Sequence, residues 1–138
     1  MRRDEQPLGD RERLNHMLSA GKDAVAIAAG RSRADLDVDI QLQHALAHCV
    51  SIIGEAATRI SEETRATVPD LPWPRVVGMR HILVHAYYKI DFDAVWRVVT
   101  EHVPQMIALL EEAVANALDE DPSVSQQNSP PPITPSAD

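Results

Sequence analysis

The sequence predicts an all-α fold: an antiparallel four-helix bundle with a kinked last helix. Three observations predict it. Hydrophobic residues make up 44% of the chain but aromatics only 4%, and Ala, Leu, Glu and Arg favour helices where β-branched and aromatic runs would favour strands. The apolar residues recur at helical spacing, with no alternating pattern. Proline and glycine fall between the periodic stretches, where they stop helices. At 138 residues one core suffices without staples.

The first helix is expected from Asp10 to Ala29. Asp10 is the candidate N-cap, Glu12 suits the first turn and Gly30 fits the stop. Leu14, Met17, Leu18, Ala24, Val25 and Ala28 form its apolar stripe. Ser32 and Asp35 have the spacing of a capping pair, so a short helical turn follows. A long second helix starts at Asp37 or Asp39 and runs to Ala66, burying Leu42, Ala45, Leu46, Cys49, Ile52, Ile53, Ala56 and Ile60. Val68, Pro69, Asp70 and Pro72 break it. A third helix starts at Pro72 to Pro74, with Asp70 as candidate cap, and ends near Tyr88; Val76, Val77, Ile82, Leu83 and Ala86 are its apolar residues. After Lys89-Ile90, Asp91 caps a fourth helix to about Leu118, kinked at Pro104. The expected organisation is a flexible N-terminus at 1–9, a helical domain at 10–118 and a disordered tail at 119–138. That tail is rich in Ser, Gln, Asn and Pro and has too little apolar surface to offset the cost of ordering.

Several function classes drop out. The single cysteine, Cys49, has no second thiolate for a disulfide or a zinc site, and its apolar neighbours make it a small buried hydrophobe. The opening residues Met1 to Asp10 are polar, and no apolar run reaches the ~20 residues of a membrane helix, so a cytoplasmic protein with no membrane contact is expected. A formal net charge of −8 argues against indiscriminate nucleic-acid binding. The charge is uneven, however. Residues 111–138 hold six acids and no Lys or Arg, whereas residues 73–97 hold four Lys or Arg, two Asp and two His.

That basic stretch includes Arg80, His81, His85, Tyr87 and Tyr88 on one expected helix. At about 100° per residue, Arg80 and Tyr87 share a face, as do His81 and His85. His85 lies about 140° round from Arg80, so a straight helix does not converge them; fraying near Tyr88 or a second copy of the helix would. His81 and His85 have the i, i+4 spacing of a metal pair, but no H-E-x-x-H and no third ligand accompany them, so neither metal nor cofactor is expected. Glu55 sits in the apolar run Ile52-Ile53-Gly54-Glu55-Ala56-Ala57. It either faces solvent or, if buried, needs a partner such as Arg80 or a histidine.

Arg80-x4-His85-x-Tyr87 resembles the R-x4-H-x-Y motif of HepT-like proteins in the HEPN superfamily. The flanks resemble that family too: Ile53-Gly54-Glu55-Ala56-Ala57, Leu71-Pro72-Trp73 and Gly78-Met79-Arg80 before the motif, Ile90-Asp91, Val95-Trp96 and Val103-Pro104 after it. The resemblance extends from about Arg11 to Val114. His81 departs from it, since Asn is usual after the arginine.

The resemblance implies the toxin of a type VII-like toxin–antitoxin system. This would be a metal-independent endoribonuclease with a composite site at a homodimer interface. It assigns Arg80 and His85 to catalysis and leaves His81 and Glu55 as supporting or RNA-contacting residues. It also implies a small nucleotidyltransferase antitoxin, MntA-like, that adenylylates Tyr87. The residue types suit the chemistry. Histidine titrates near neutrality and can move the proton of a 2′-hydroxyl. A guanidinium matches the charge that builds on phosphate oxygens. AMP on Tyr87 would add bulk and negative charge beside that pair. The alternative is a non-catalytic HEPN dimer that serves as a scaffold for RNA, nucleotide or the transferase.

Overall fold

In the computed structural model, residues 9–84 and 90–120 are described, with side chains for all of these except Val84 and residues 117–120. Every regular element among them is helical. Helix α1 spans Asp10–Ala28. Asp10 is not its cap: Gly9 stands at that position without a side-chain bond. The Asp10 carboxylate instead accepts from the hydroxyls of Ser61 and Thr64 and from the Ser61 N–H at 3.2 Å. Gly30 ends the helix with φ of +74°, a left-handed conformation that glycine adopts without cost. Helix α2, Arg33–Val38, opens on the expected capping pair. The Ser32 N–H donates to Asp35 at 2.8 Å and the Asp35 N–H donates to the Ser32 hydroxyl at 3.3 Å.

Helix α3, Ile40–Thr58, is capped by Asp39, which accepts from the Leu42 N–H at 3.1 Å. It does not continue to Ala66. The chain turns at Arg59, and helix α4, Glu62–Ala66, restarts on a Ser61 cap. The turn buries Ile60 and brings Ser61 and Thr64 to Asp10. The tertiary contact thus decides where the helix stops. Pro72, not Asp70, precedes helix α5, Trp73–Val77. The Trp73 indole N–H donates to the carbonyls of Arg65 and Val68, both at 3.1 Å, and ties the connecting loop down. A single 3₁₀ turn, Gly78–Arg80, leads into helix α6, His81–Val84. The expected end of this segment near Tyr88, and Ala86, lie outside the described residues.

Asp91 caps helix α7, Phe92–Arg97, by accepting from the Ala94 N–H at 3.0 Å. A wide π-type turn, Val98–His102, joins it to helix α8, Val103–Glu120. Pro104 lacks an N–H and its ring crowds the carbonyl four residues back. The wide turn absorbs that conflict, so the expected kink falls just before the proline.

The long segments pack as a four-helix bundle. Met17, Ala20 and Ala24 of α1 meet Leu46, Val50, Ile53 and Ala57 of α3 and Val99, Val103, Met106 and Leu110 of the last helix in one buried core. Gly21 lets α1 and α8 approach closely: a Cβ there would lie 2.9 Å from the Met106 methyl. Cys49 is buried, and that burial, with Asp23 nearby, raises its thiol pKa, as suits an inert core residue. Val25, counted with the α1 stripe, is exposed instead. No helix among the described residues is long and apolar enough to cross a membrane. The expected flexible N-terminus falls, but for Gly9, outside the described residues. So does the expected tail from residue 121 onward.

Candidate active site

Two elements build the site. The middle of α3 supplies Gly54 and Glu55; the 3₁₀ turn and α6 supply Arg80 and His81. Gly54 is buried where the Arg80 backbone crosses α3. A Cβ on it would lie 3.0 Å from the Arg80 nitrogen and 3.2 Å from the Arg80 Cβ, so only glycine permits this crossing distance unstrained. The next residue then meets the arginine side chain. Arg80 Nη1 donates to Glu55 Oε2 at 2.8 Å. Both groups are about half exposed, at 45% and 48%.

Glu55 has a second cation. Arg59, one turn on, reaches its other oxygen with Nε at 3.2 Å and Nη2 at 3.1 Å. One carboxylate therefore bridges two guanidiniums. The sequence left Glu55 between solvent and a partner; the structure gives it both. Arg59 went unnoticed in the sequence, although Glu55 and Arg59 have the i, i+4 spacing at which helical side chains pair.

Beyond Glu55 a groove of about 270 Å³ runs between α1 and α3, lined by Arg13, His16, His48, Ser51, Glu55 and Arg59 among others. On the far side of the 3₁₀ turn lies an apolar pocket of about 340 Å³ between α5–α6 and α8, floored by Val76, Met79, Ile82, Met106 and Leu109.

His81 is exposed at the start of α6, one residue beyond Arg80. Ile82 and Leu83 pack against the core. His85 and Tyr87, and Tyr88 beside them, lie outside the described residues. The chain on either side of them is tied, because the Asp91 N–H donates to the Ile82 carbonyl at 3.4 Å. Among the described residues no group of three or more His, Cys, Asp and Glu is arranged to hold a metal ion. What the described part can do chemically is bind an anion, through a half-exposed guanidinium whose position a carboxylate holds.

The chain is similar to known proteins over this same region. The family described as Ribonuclease HepT-like matches residues 17–113, which takes in Glu55, Arg80, His81, His85 and Tyr87. A Methanocaldococcus jannaschii protein named as a candidate RNase is 38% identical over 65 residues, covering 47% of this chain and 60% of its own. A Thermococcus cleftensis protein named as a probable ribonuclease HepT is 33% identical over 72 residues, covering 52% of this chain and 66% of its own. A third, from Caldanaerobacter subterraneus and also named as a candidate RNase, is 28% identical over 93 residues, covering 67% of this chain and 83% of its own. No solved structure matches.

Proposed function

We propose, from the premise that this chain belongs to the HepT-like ribonuclease family, that it is a metal-independent endoribonuclease whose reaction runs on Arg80 and His85. The observation that carries the reading is the placement of Arg80. Its backbone is seated against Gly54, and its half-exposed guanidinium is held by Glu55.

In the reaction, His85 takes the proton of a ribose 2′-hydroxyl, and the oxygen attacks the adjacent phosphorus. The bond to the 5′-oxygen breaks, and that oxygen takes a proton from the imidazolium formed at His85 or from water. The products are a 2′,3′-cyclic phosphate and a 5′-hydroxyl. Arg80 balances the charge on the non-bridging oxygens as the transition state forms. Glu55 is a positioning residue, and His81 supports contacts to RNA. The site is composite. Arg80 and His81 lie on an open surface, and a phosphate cleft that excludes water needs a second wall. A second protomer supplies it.

The family match supports a further reading of the system. The chain is the toxin, acting in the cytoplasm where its RNA is, and a nucleotidyltransferase antitoxin silences it by placing AMP on Tyr87. Expression of variants in a growth assay, with and without the cognate transferase, tests this. Arg80→Ala and His85→Ala abolish toxicity, each costing about a hundredfold or more in cleavage. Tyr87→Phe stays toxic and takes no AMP by mass measurement. Retained toxicity in His85→Ala refutes the catalytic reading and favours the scaffold. An AMP adduct on Tyr87→Phe moves the control site to another residue, with Tyr88 first.

A further inference from the structure

We infer that the groove between α1 and α3 is a second phosphate subsite for single-stranded RNA, in which Arg59 and His48 hold the backbone beside the phosphate at Arg80, and that Glu55 is the resident anion which RNA displaces from Arg59 while it keeps its bond to Arg80. The inference rests on the ribonuclease reading for what occupies Arg80.

The first support is the shared carboxylate. Arg80 bonds one oxygen of Glu55 and Arg59 bonds the other. A carboxylate and a phosphodiester offer a guanidinium the same pair of acceptor oxygens. The two arginines are thus already set at a spacing that an anion can bridge. All three side chains are about half exposed, and exposed ion pairs are weak, so exchange of the carboxylate for phosphate at Arg59 costs little.

The second support is what continues from Arg59. His48, Ser51, Glu55 and Arg59 succeed one another at three- and four-residue steps, which places them in one stripe along α3. Arg13 and His16 face that stripe from α1 across the groove. Apart from Glu55 the polar groups there are cations, imidazoles and a hydroxyl. Glu55 is also the only acid in the whole of α3. In a chain of net charge −8 such a strip does not arise from general basicity, and a local cationic track is what lets an acidic protein hold a polyanion. A groove of about 270 Å³ has room for a sugar-phosphate of one strand.

The test uses the full chain and an eight-nucleotide 2′-O-methyl RNA, which binds but cannot be cleaved, with affinity followed by fluorescence anisotropy over a salt series. Arg59→Ala should weaken binding at least fivefold and flatten the salt dependence by about 0.7 in slope, the loss of one phosphate contact to a single strand. Arg59→Lys should restore most of the slope. His48→Ala should weaken binding several-fold, and Glu55→Gln should tighten it. Lys22→Ala, whose cation pairs with Glu111 elsewhere on the surface, should leave it unchanged. If Arg80→Ala weakens binding while the Arg59→Ala/His48→Ala double variant does not, the groove proposal is overturned and the ribonuclease reading stands. If the groove variants weaken binding yet the wild-type chain cleaves no unmodified RNA, the groove stands and the catalytic reading falls. If Arg59→Ala changes the sedimentation coefficient instead of the affinity, the groove is a protein interface and the proposal is overturned.

Discussion

Arg80 and Glu55 meet as an exposed pair, and such pairs contribute only about 0–1 kcal/mol to stability. The pair therefore matters for aim more than for folding, and the two roles can be separated. Glu55→Gln keeps the shape of the side chain and removes its charge. Its thermal midpoint should move by no more than a few degrees. Its kcat should fall roughly ten- to a hundredfold as Arg80 loses its fixed position, while KM falls because the competing anion is gone. A purely structural Glu55 would show the opposite pattern, a lower midpoint with kcat intact. At this scale the sequence spoke clearly about the motif segment, since Arg80, His81, His85 and Tyr87 are residues whose chemistry is rare on a bland helix. It was silent about Arg59, which lies on a different helix from the motif and acquires its meaning only when α3 and the 3₁₀ turn cross.

The elements hold the site by two close approaches. Gly54 admits the Arg80 backbone to α3. Alanine inside a helix usually gains about 0.5–1 kcal/mol over glycine, but here its methyl would press on backbone atoms 3.0 Å away. Gly54→Ala should lower stability by about 1–3 kcal/mol, the usual cost of overpacking, and should lose more activity than stability because it displaces Arg80. Gly78→Ala is the matched control: its φ is −72° and nothing stands within 4 Å, so its midpoint should hold or rise slightly. The second approach joins α1 to the α4 turn through Asp10. Burial pushes the Asp10 carboxyl up, but hydrogen bonds from Ser61 and Thr64 and the nearby charge of Arg13 outweigh it and hold the pKa below the ordinary 3.8. A lowered carboxyl stabilises the fold fully above the unfolded value and loses that contribution as pH falls through the folded one. Asp10→Asn should therefore lower the thermal midpoint at pH 7 and converge with wild type in acid. The start of α3 was left between Asp37 and Asp39, whereas the caps at Asp91 and Ser32 and the stop at Gly30 were legible, because they are local features of near neighbours. The break after Thr58, the 3₁₀ turn at Gly78–Arg80 and the wide turn at Val98–His102 were not. The first two follow from packing between segments far apart in the chain, and the third is the form in which the helix accommodates Pro104.

For the whole molecule, the site is open on one side. Arg80 and His81 are exposed, and Val38 and Ile40, 85% and 64% exposed, leave apolar surface at the α2–α3 link, towards the opposite end of α3 from Glu55. A second protomer would cover such surface, and symmetric dimers are the commonest oligomers. Sedimentation at micromolar concentration should give twice the 15.2 kDa of the chain; a monomer would remove the composite site. The helical class of the fold and its single core could be read from periodicity alone. Whether protomers pair could not, because one chain's pattern does not say which faces another copy would cover. The central claim is tested most directly by incubating the purified chain with RNA in excess EDTA and analysing the products. The account predicts 2′,3′-cyclic phosphate and 5′-hydroxyl ends from the wild-type chain and none from Arg80→Ala or His85→Ala. Undiminished cleavage by His85→Ala, or cleavage that appears only when a divalent metal is restored, would contradict it.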